Sequence, residues 1–117
     1  MAEKSGKILA AVRAQIKAIQ QELARLDLIC AGSLQKRTKL CGKPNCQCAR
    51  DPSARHGPYY EWSWREGRRM VHRVISKSQA HNLAWAIKNY RKAQDLLAKW
   101  ELVSAQIILD LKEVDTD

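Results

Sequence analysis

Apolar residues recur near the start of the chain at alternating steps of four and three: Ile8, Val12, Gln15 or Ile16, Ile19, Leu23, Leu26 and Cys30. That spacing lines one side of a helix. Good helix formers dominate the stretch, Ser5 is a suitable N-cap and Gly32 a suitable stop, so one helix is predicted over residues 6–31. The last third keeps the same rhythm for longer, through Ala86, Tyr90, Ala93, Leu97, Trp100, Ser104, Ile107, Leu111 and Val114. This is a heptad seam. Ser76 or Ser78 can cap its start and neither Gly nor Pro interrupts residues 77–114, which predicts a helix about 55 Å long at 1.5 Å per residue. Leu96, Val103 and Ile108 widen the stripe, so it is expected to pack on the first helix, on a second copy of the chain, or on both.

Between these helices the period falls to two. Tyr59–Arg65 and Arg68–Ile75 are rich in aromatic and β-branched residues and flank Glu66-Gly67, which suits a two-residue hairpin turn. The register that follows sets Arg65 against Arg68, Trp64 against Arg69, Trp62 against Val71 and Tyr60 against Arg73. One face then carries Tyr60, Trp62, Trp64, Arg69, Val71 and Arg73, and the other Tyr59, Glu61, Ser63, Met70, His72 and Val74. Leu34–Leu40 is expected to add a third strand. The fold class is therefore α+β: a long N-terminal helix (1–31), a small three-stranded antiparallel sheet with a metal-binding loop (32–76) and a long C-terminal heptad helix (77–117).

Charge sharpens this division. The chain has a net charge of +9, and residues 32–78 hold eleven Lys and Arg against three Asp and Glu. The flanking thirds nearly balance. Lys36, Arg37, Lys39, Lys43, Arg50, Arg55, Arg65, Arg68, Arg69 and Arg73 make the centre a field that steers polyanions, with Trp62 and Trp64 as planar surfaces beside the cations. The bland reading of the same residues is a solvated basic face above a tryptophan core. The apolar runs, Leu28–Ala31 among them, are far short of the ~20 residues of a membrane span, and the N-terminal pattern is broken by Arg13, Gln15 and Lys17. A cytoplasmic protein with no membrane partner is expected.

Three of the four cysteines fall within eight residues, as Cys41-Gly42-Lys43-Pro44-Asn45-Cys46-Gln47-Cys48, and His56 follows. In a reducing compartment such clustering points to metal rather than to disulfides. Zinc accepts three soft thiolates and an imidazole in a tetrahedral site, with Gly42 and Pro44 turning the chain so that the sulfurs converge. Cys41, Cys46, Cys48 and His56 are the expected Zn²⁺ ligands; Cys30 is the alternative fourth ligand, although its heptad position suits a small buried side chain. Asp51, Glu61 and Glu66 are the only carboxylates of the module, and no phosphate loop or nucleophile–base pattern accompanies the cysteines. The metal is expected to be structural and the protein not an enzyme.

The string Cys-Gly-Lys-Pro-Asn-Cys-Gln-Cys-Ala, with His-Gly-Pro-Tyr-Tyr and Trp-Ser-Trp after it, resembles a family of short bacterial and archaeal proteins classed as a domain of unknown function. The resemblance covers residues 33–92, marks Cys41, Cys46, Cys48 and His56 as motif positions, and implies a loose association with mobile genetic elements. In layout alone, three strands and then a helix are similar to the arm-binding domains of tyrosine integrases, which bind DNA; this is analogy. The leading expectation is a small zinc protein that binds nucleic acid, DNA ahead of RNA, as an accessory or regulatory factor of a mobile element. The alternative is a zinc-stabilised coiled-coil adaptor, working as a homo-oligomer or with a helical partner protein.

Overall fold

The structure, a computed structural model, describes residues 2–39, 45–51 and 56–110, leaving out the side chains of 2–5, 39, 48, 56 and 57. It is α+β as expected. Helix α1 (Ala2–Ala24) precedes strand β1 (Ser33–Lys39), a single 3-10 turn (Gln47–Ala49), strands β2 (His56–Glu66) and β3 (Arg69–Ile75), and helix α2 (Lys77–Asp110). The chain divides into two compact units, Met1–Leu28 with Asn89–Asp117, and Ile29–Lys88.

In the first unit, Val12 and Ile19 of α1 and Ala93 and Leu96 of α2 are buried, flanked by half-buried Leu9, Ile16, Leu23, Trp100, Val103 and Ile107. The helices run antiparallel. Asp27 and Leu28, just past the end of α1, meet Asn89, while Gln15–Glu22 share a groove with Leu96–Val103. Helix α1 differs from expectation at both ends: it begins at Ala2, before Ser5, and stops at Ala24. The stop has a tertiary cause. Arg25 and Leu26 turn tightly through N–H bonds to the carbonyls of Glu22 and Leu23, and the Leu28 N–H then bonds to Asp27 Oδ1 at 2.7 Å. Buried Asn89 donates through Nδ2 to Asp27 Oδ1 at 3.0 Å and to the Leu28 carbonyl at 2.9 Å. These bonds replace the next turn of helix, because a side chain that offers backbone groups an alternative partner competes with the helical ladder. Leu26 and Cys30 thus leave the helix. The seam of α2 is also displaced: Leu96, expected as a flank, is 4% exposed, whereas Leu97, expected in the seam, is 49% exposed. Leu111 and Val114 lie outside the described residues.

In the second unit the strands form a meander in the order β1-β2-β3, antiparallel throughout. The hairpin turn is Gly67-Arg68 rather than Glu66-Gly67, since Glu66 pairs with Arg69. Gly67 has φ +61° and no non-glycine residue described has a positive φ, the sign pattern of a type II′ turn with glycine first. Trp64 therefore faces Val71, Trp62 faces Arg73, and Ser63 faces His72. The shift moves every partner by two positions, so the residues sharing a face are unchanged. Ahead of β1, Gly32 adopts φ +113°, and a Cβ there would stand 2.3 Å from the Ser63 carbonyl oxygen and 2.8 Å from Trp62 Nε1. Only glycine lets the chain enter the sheet so close to β2. After β3, Ser76 and Gln79 form a reciprocal capping box: Gln79 N–H donates to Ser76 Oγ at 3.1 Å and Ser76 N–H to Gln79 Oε1 at 2.8 Å. The first turns of α2 then bury Ala80, Leu83 and Ala86, and Cys30 N–H bonds to the Ala86 carbonyl.

Replacing Asn89 by Ala removes both bonds to the 27–28 segment and leaves their acceptors without that donor. Urea denaturation of this variant is expected to show a loss of about 1–3 kcal/mol, against less than about 0.5 kcal/mol for the exposed Gln94→Ala control.

Candidate nucleic-acid interface

The sheet presents two unlike faces. On one, Leu34, Tyr60, Trp62, Trp64, Val71 and Ile75 are all half-buried, and Lys36, Arg69 and Arg73 stand exposed among them. Trp62 is held in place. Its Nε1–H donates to the Ala31 carbonyl at 3.0 Å, and its ring lies against Trp64 with centroids 4.1 Å apart at an interplanar angle of 34°. Trp64 donates to Glu66 Oε1 at 3.2 Å. The indoles thus contribute to the packing of this face while the arginine heads reach water, a combination long cationic side chains permit.

The opposite face is open: Met70 is 51% and Val74 62% exposed. Across it runs a chain of polar contacts that links all three strands. Arg37 donates to Gln35 Oε1 through Nε and Nη2, and its Nη2 lies 3.9 Å from Glu61 Oε1. The same carboxylate oxygen is 3.9 Å from His72 Nδ1, which is 2.7 Å from the hydroxyl of buried Ser63. The serine hydroxyl and the carboxylate thus both lie on the Nδ1 side of the ring. Sequence reasoning placed Glu61, Ser63 and His72 on one face but missed their linkage, because the expected register set Ser63 against Met70. The turn residue was the signal: glycine at the first central position of a two-residue loop gives the observed pairing.

Of the expected nucleic-acid residues, Lys36, Arg37, Arg50, Arg65, Arg68, Arg69 and Arg73 are all exposed. Arg37 and Arg65 stand on the open face, Lys36, Arg69 and Arg73 on the tryptophan face, and Arg68 in the turn. Lys43, Arg55 and the Lys39 side chain lie outside the described residues.

For the expected metal ligands the backbone carries what can be described. Strands β1 and β2 close on one another at Lys39 and His56, so Cys41, Cys46 and Cys48 all belong to the connection that this pair ends. Half-buried Cys46 precedes the 3-10 turn and its carbonyl accepts the Ala49 N–H at 3.1 Å. Cys41 and the side chains of Cys48 and His56 lie outside the described residues, and among the described residues no three metal-ligating side chains gather. Cys30 is half-buried in the segment ahead of β1, and neither it nor Cys46 is in a disulfide. Among the described residues no helix is long and apolar enough to cross a membrane.

These elements make a two-helix, three-stranded α+β chain with a cysteine-bearing β1–β2 connection. Residues 9–84 match the family model of a domain of unknown function, DUF6788, and the chain belongs to that family. The match extends the expected span, 33–92, back over most of α1. No curated protein and no solved structure matches the chain.

The two indoles make different bonds, and this is measurable. Trp62→Phe leaves the Ala31 carbonyl without its indole donor and is expected to lower the stability by about 1 kcal/mol in urea denaturation, whereas Trp64→Phe, which removes an exposed bond to Glu66, is expected to cost less.

Proposed function

We propose that this protein is a non-enzymatic, zinc-stabilised module of the cytoplasm that binds nucleic acid, DNA ahead of RNA, as an accessory factor of a mobile element. One observation carries the binding reading: every module cation whose side chain is described is exposed. Glu61 and Glu66 are the only carboxylates on the strands, and Glu61 sits close to Arg37 and His72 while Glu66 accepts the Trp64 N–H. A small surface with so large an excess of positive charge attracts phosphate over several ångströms and releases counterions on binding. Mobile-element context and the preference for DNA rest on the family resemblance and the integrase analogy.

Zinc is proposed on the chemistry of its donors. Cys41, Cys46, Cys48 and His56 supply three thiolates and an imidazole from one connection, and the Lys39–His56 pairing brings its ends together. Bound there, the ion supplies a cross-link that orders the loop. Elemental analysis of purified protein is expected to find one zinc per chain; Cys46→Ser is expected to release it and loosen the β1–β2 connection, and Cys30→Ser to leave it in place. Equal loss from the Cys30 variant would replace His56 with Cys30 in the ligand set.

Binding is tested by salt titration against duplex DNA, single-stranded DNA and structured RNA. If Arg69 and Arg73 each neutralise a phosphate, changing both to Ala weakens binding and makes the slope of log affinity against log salt shallower by about two. Lys88→Ala and Lys92→Ala on α2 are expected to matter less. The second reading, a helical adaptor, is favoured by the exposure of Leu97 and Ile108 on α2. It prevails if metal-loaded protein binds none of the three nucleic acids at about 50–100 mM salt, where non-specific contacts persist.

A further inference from the structure

The open face of the sheet is three strands wide, and its polar side chains hold one another in place. Arg37 of β1 is bonded to Gln35 and lies beside Glu61 of β2, and His72 of β3 meets Ser63 of β2 through Nδ1, so both outer strands are tied to the central one. Glu61 is 20% exposed between Arg37 and His72, where its charge orients these two. Both of them stand exposed. Gln35 engages Arg37 through Nε and Nη2, which leaves the end of the guanidinium, Nη1 and one Nη2 hydrogen, for a partner. Met70 and Val74 add exposed apolar groups to the same face.

The charges around this face select the partner. On the tryptophan face every described cation, Lys36, Arg69 and Arg73, belongs to an outer strand, whereas the central strand carries Tyr60, Trp62 and Trp64 there. Long side chains on outer strands reach past the sheet edges, so cations line both edges of a face whose middle carries hydrogen-bonding groups. Strands pair about 4.8 Å apart, which sets the outer two about 10 Å from one another. Between its phosphate walls the major groove of B-form DNA is about 12 Å wide and the minor groove about 6 Å. Only the former admits this face. Single strands are held by stacking on exposed rings, and both indoles belong to the other face. The major groove of A-form RNA is too deep and narrow for side chains to read.

We propose that the open face of the sheet reads base edges in the major groove of duplex DNA, with Arg37 as the guanine-recognising fork and Lys36, Arg69 and Arg73 at the phosphate walls on either side. The inference rests on the nucleic-acid reading above and deepens it from charge attraction to sequence discrimination. A guanidinium already held in place loses little freedom on meeting the O6 and N7 acceptors of guanine, and Met70 and Val74 suit the methyl group of thymine.

The test uses the full chain, metal-loaded, and a pool of random-sequence duplexes of about 30 base pairs at about 50–100 mM salt. Repeated selection is expected to enrich a guanine-containing motif. On the selected duplex the wild-type protein is expected to protect guanine N7, a major-groove atom, from methylation by dimethyl sulfate, a readout that needs no variant. Arg37→Lys keeps the charge and loses the fork. It is expected to leave the salt slope and the melting temperature unchanged while the preference for the selected duplex over a scrambled one falls by about five- to a hundredfold. Arg69→Lys, on the other face, is expected to keep that preference. If no nucleic acid is bound, the nucleic-acid reading and this inference fall together. If nucleic acid is bound but no motif is enriched, guanine N7 stays reactive, Arg37→Lys keeps the preference, or single strands or structured RNA bind more tightly than duplex, the nucleic-acid reading stands and the proposal alone is overturned.

Discussion

The buried side-chain amide of Asn89 is the constraint on which the two-helix unit turns. A carboxamide can satisfy a carboxylate oxygen and a backbone carbonyl at once, and here it does both, to Asp27 and Leu28. A polar group taken out of water must be bonded, and once bonded it specifies one arrangement where apolar contacts alone accept several. The amide ends α1, sets the point from which the helices run antiparallel, and thereby decides which side of α2 is covered. The neighbours Leu96 and Leu97 owe their opposite environments to that decision.

In the basic unit, packing and charge are arranged without conflict. The tryptophan face is filled by large rings, one of them bonded to the backbone, and the cations on that face extend past the rings to water. On the open face a single carboxylate, Glu61, lies between an arginine and a histidine, leaving the rest of the sheet strongly cationic.

Elements governed by local physics were legible in the sequence. The change of period from 3.6 to 2 located both helices and the sheet, alternation assigned each strand residue to its face, and Ser76 was one of two serines named as the cap of α2. What escaped was settled by long-range contacts. Nothing within residues 25–31 says that Asn89, some sixty positions away, will take their polar groups, so the heptad pattern through Leu26 and Cys30 overstated the helix. The displaced seam has the same origin, since a stripe widened by Leu96, Val103 and Ile108 does not say which side α1 will choose. The hairpin register was nearly readable: glycine stood at the turn, and the error was to place it second rather than first.

The capping box at Ser76 has a consequence for how this chain can vary. Strand β3 ends at Ile75 and α2 begins at Lys77, so a single residue serves as hinge, cap and linker. In a helix each residue advances the azimuth by about 100°. One residue inserted or deleted at this junction would swing Ala80, Leu83 and Ala86 out of their buried positions by more than a quarter turn, and no slack exists to wind it back. Lineages of this fold should therefore tolerate length changes in the β1–β2 connection and almost none between β3 and α2, making that junction a fixed landmark for aligning distant members.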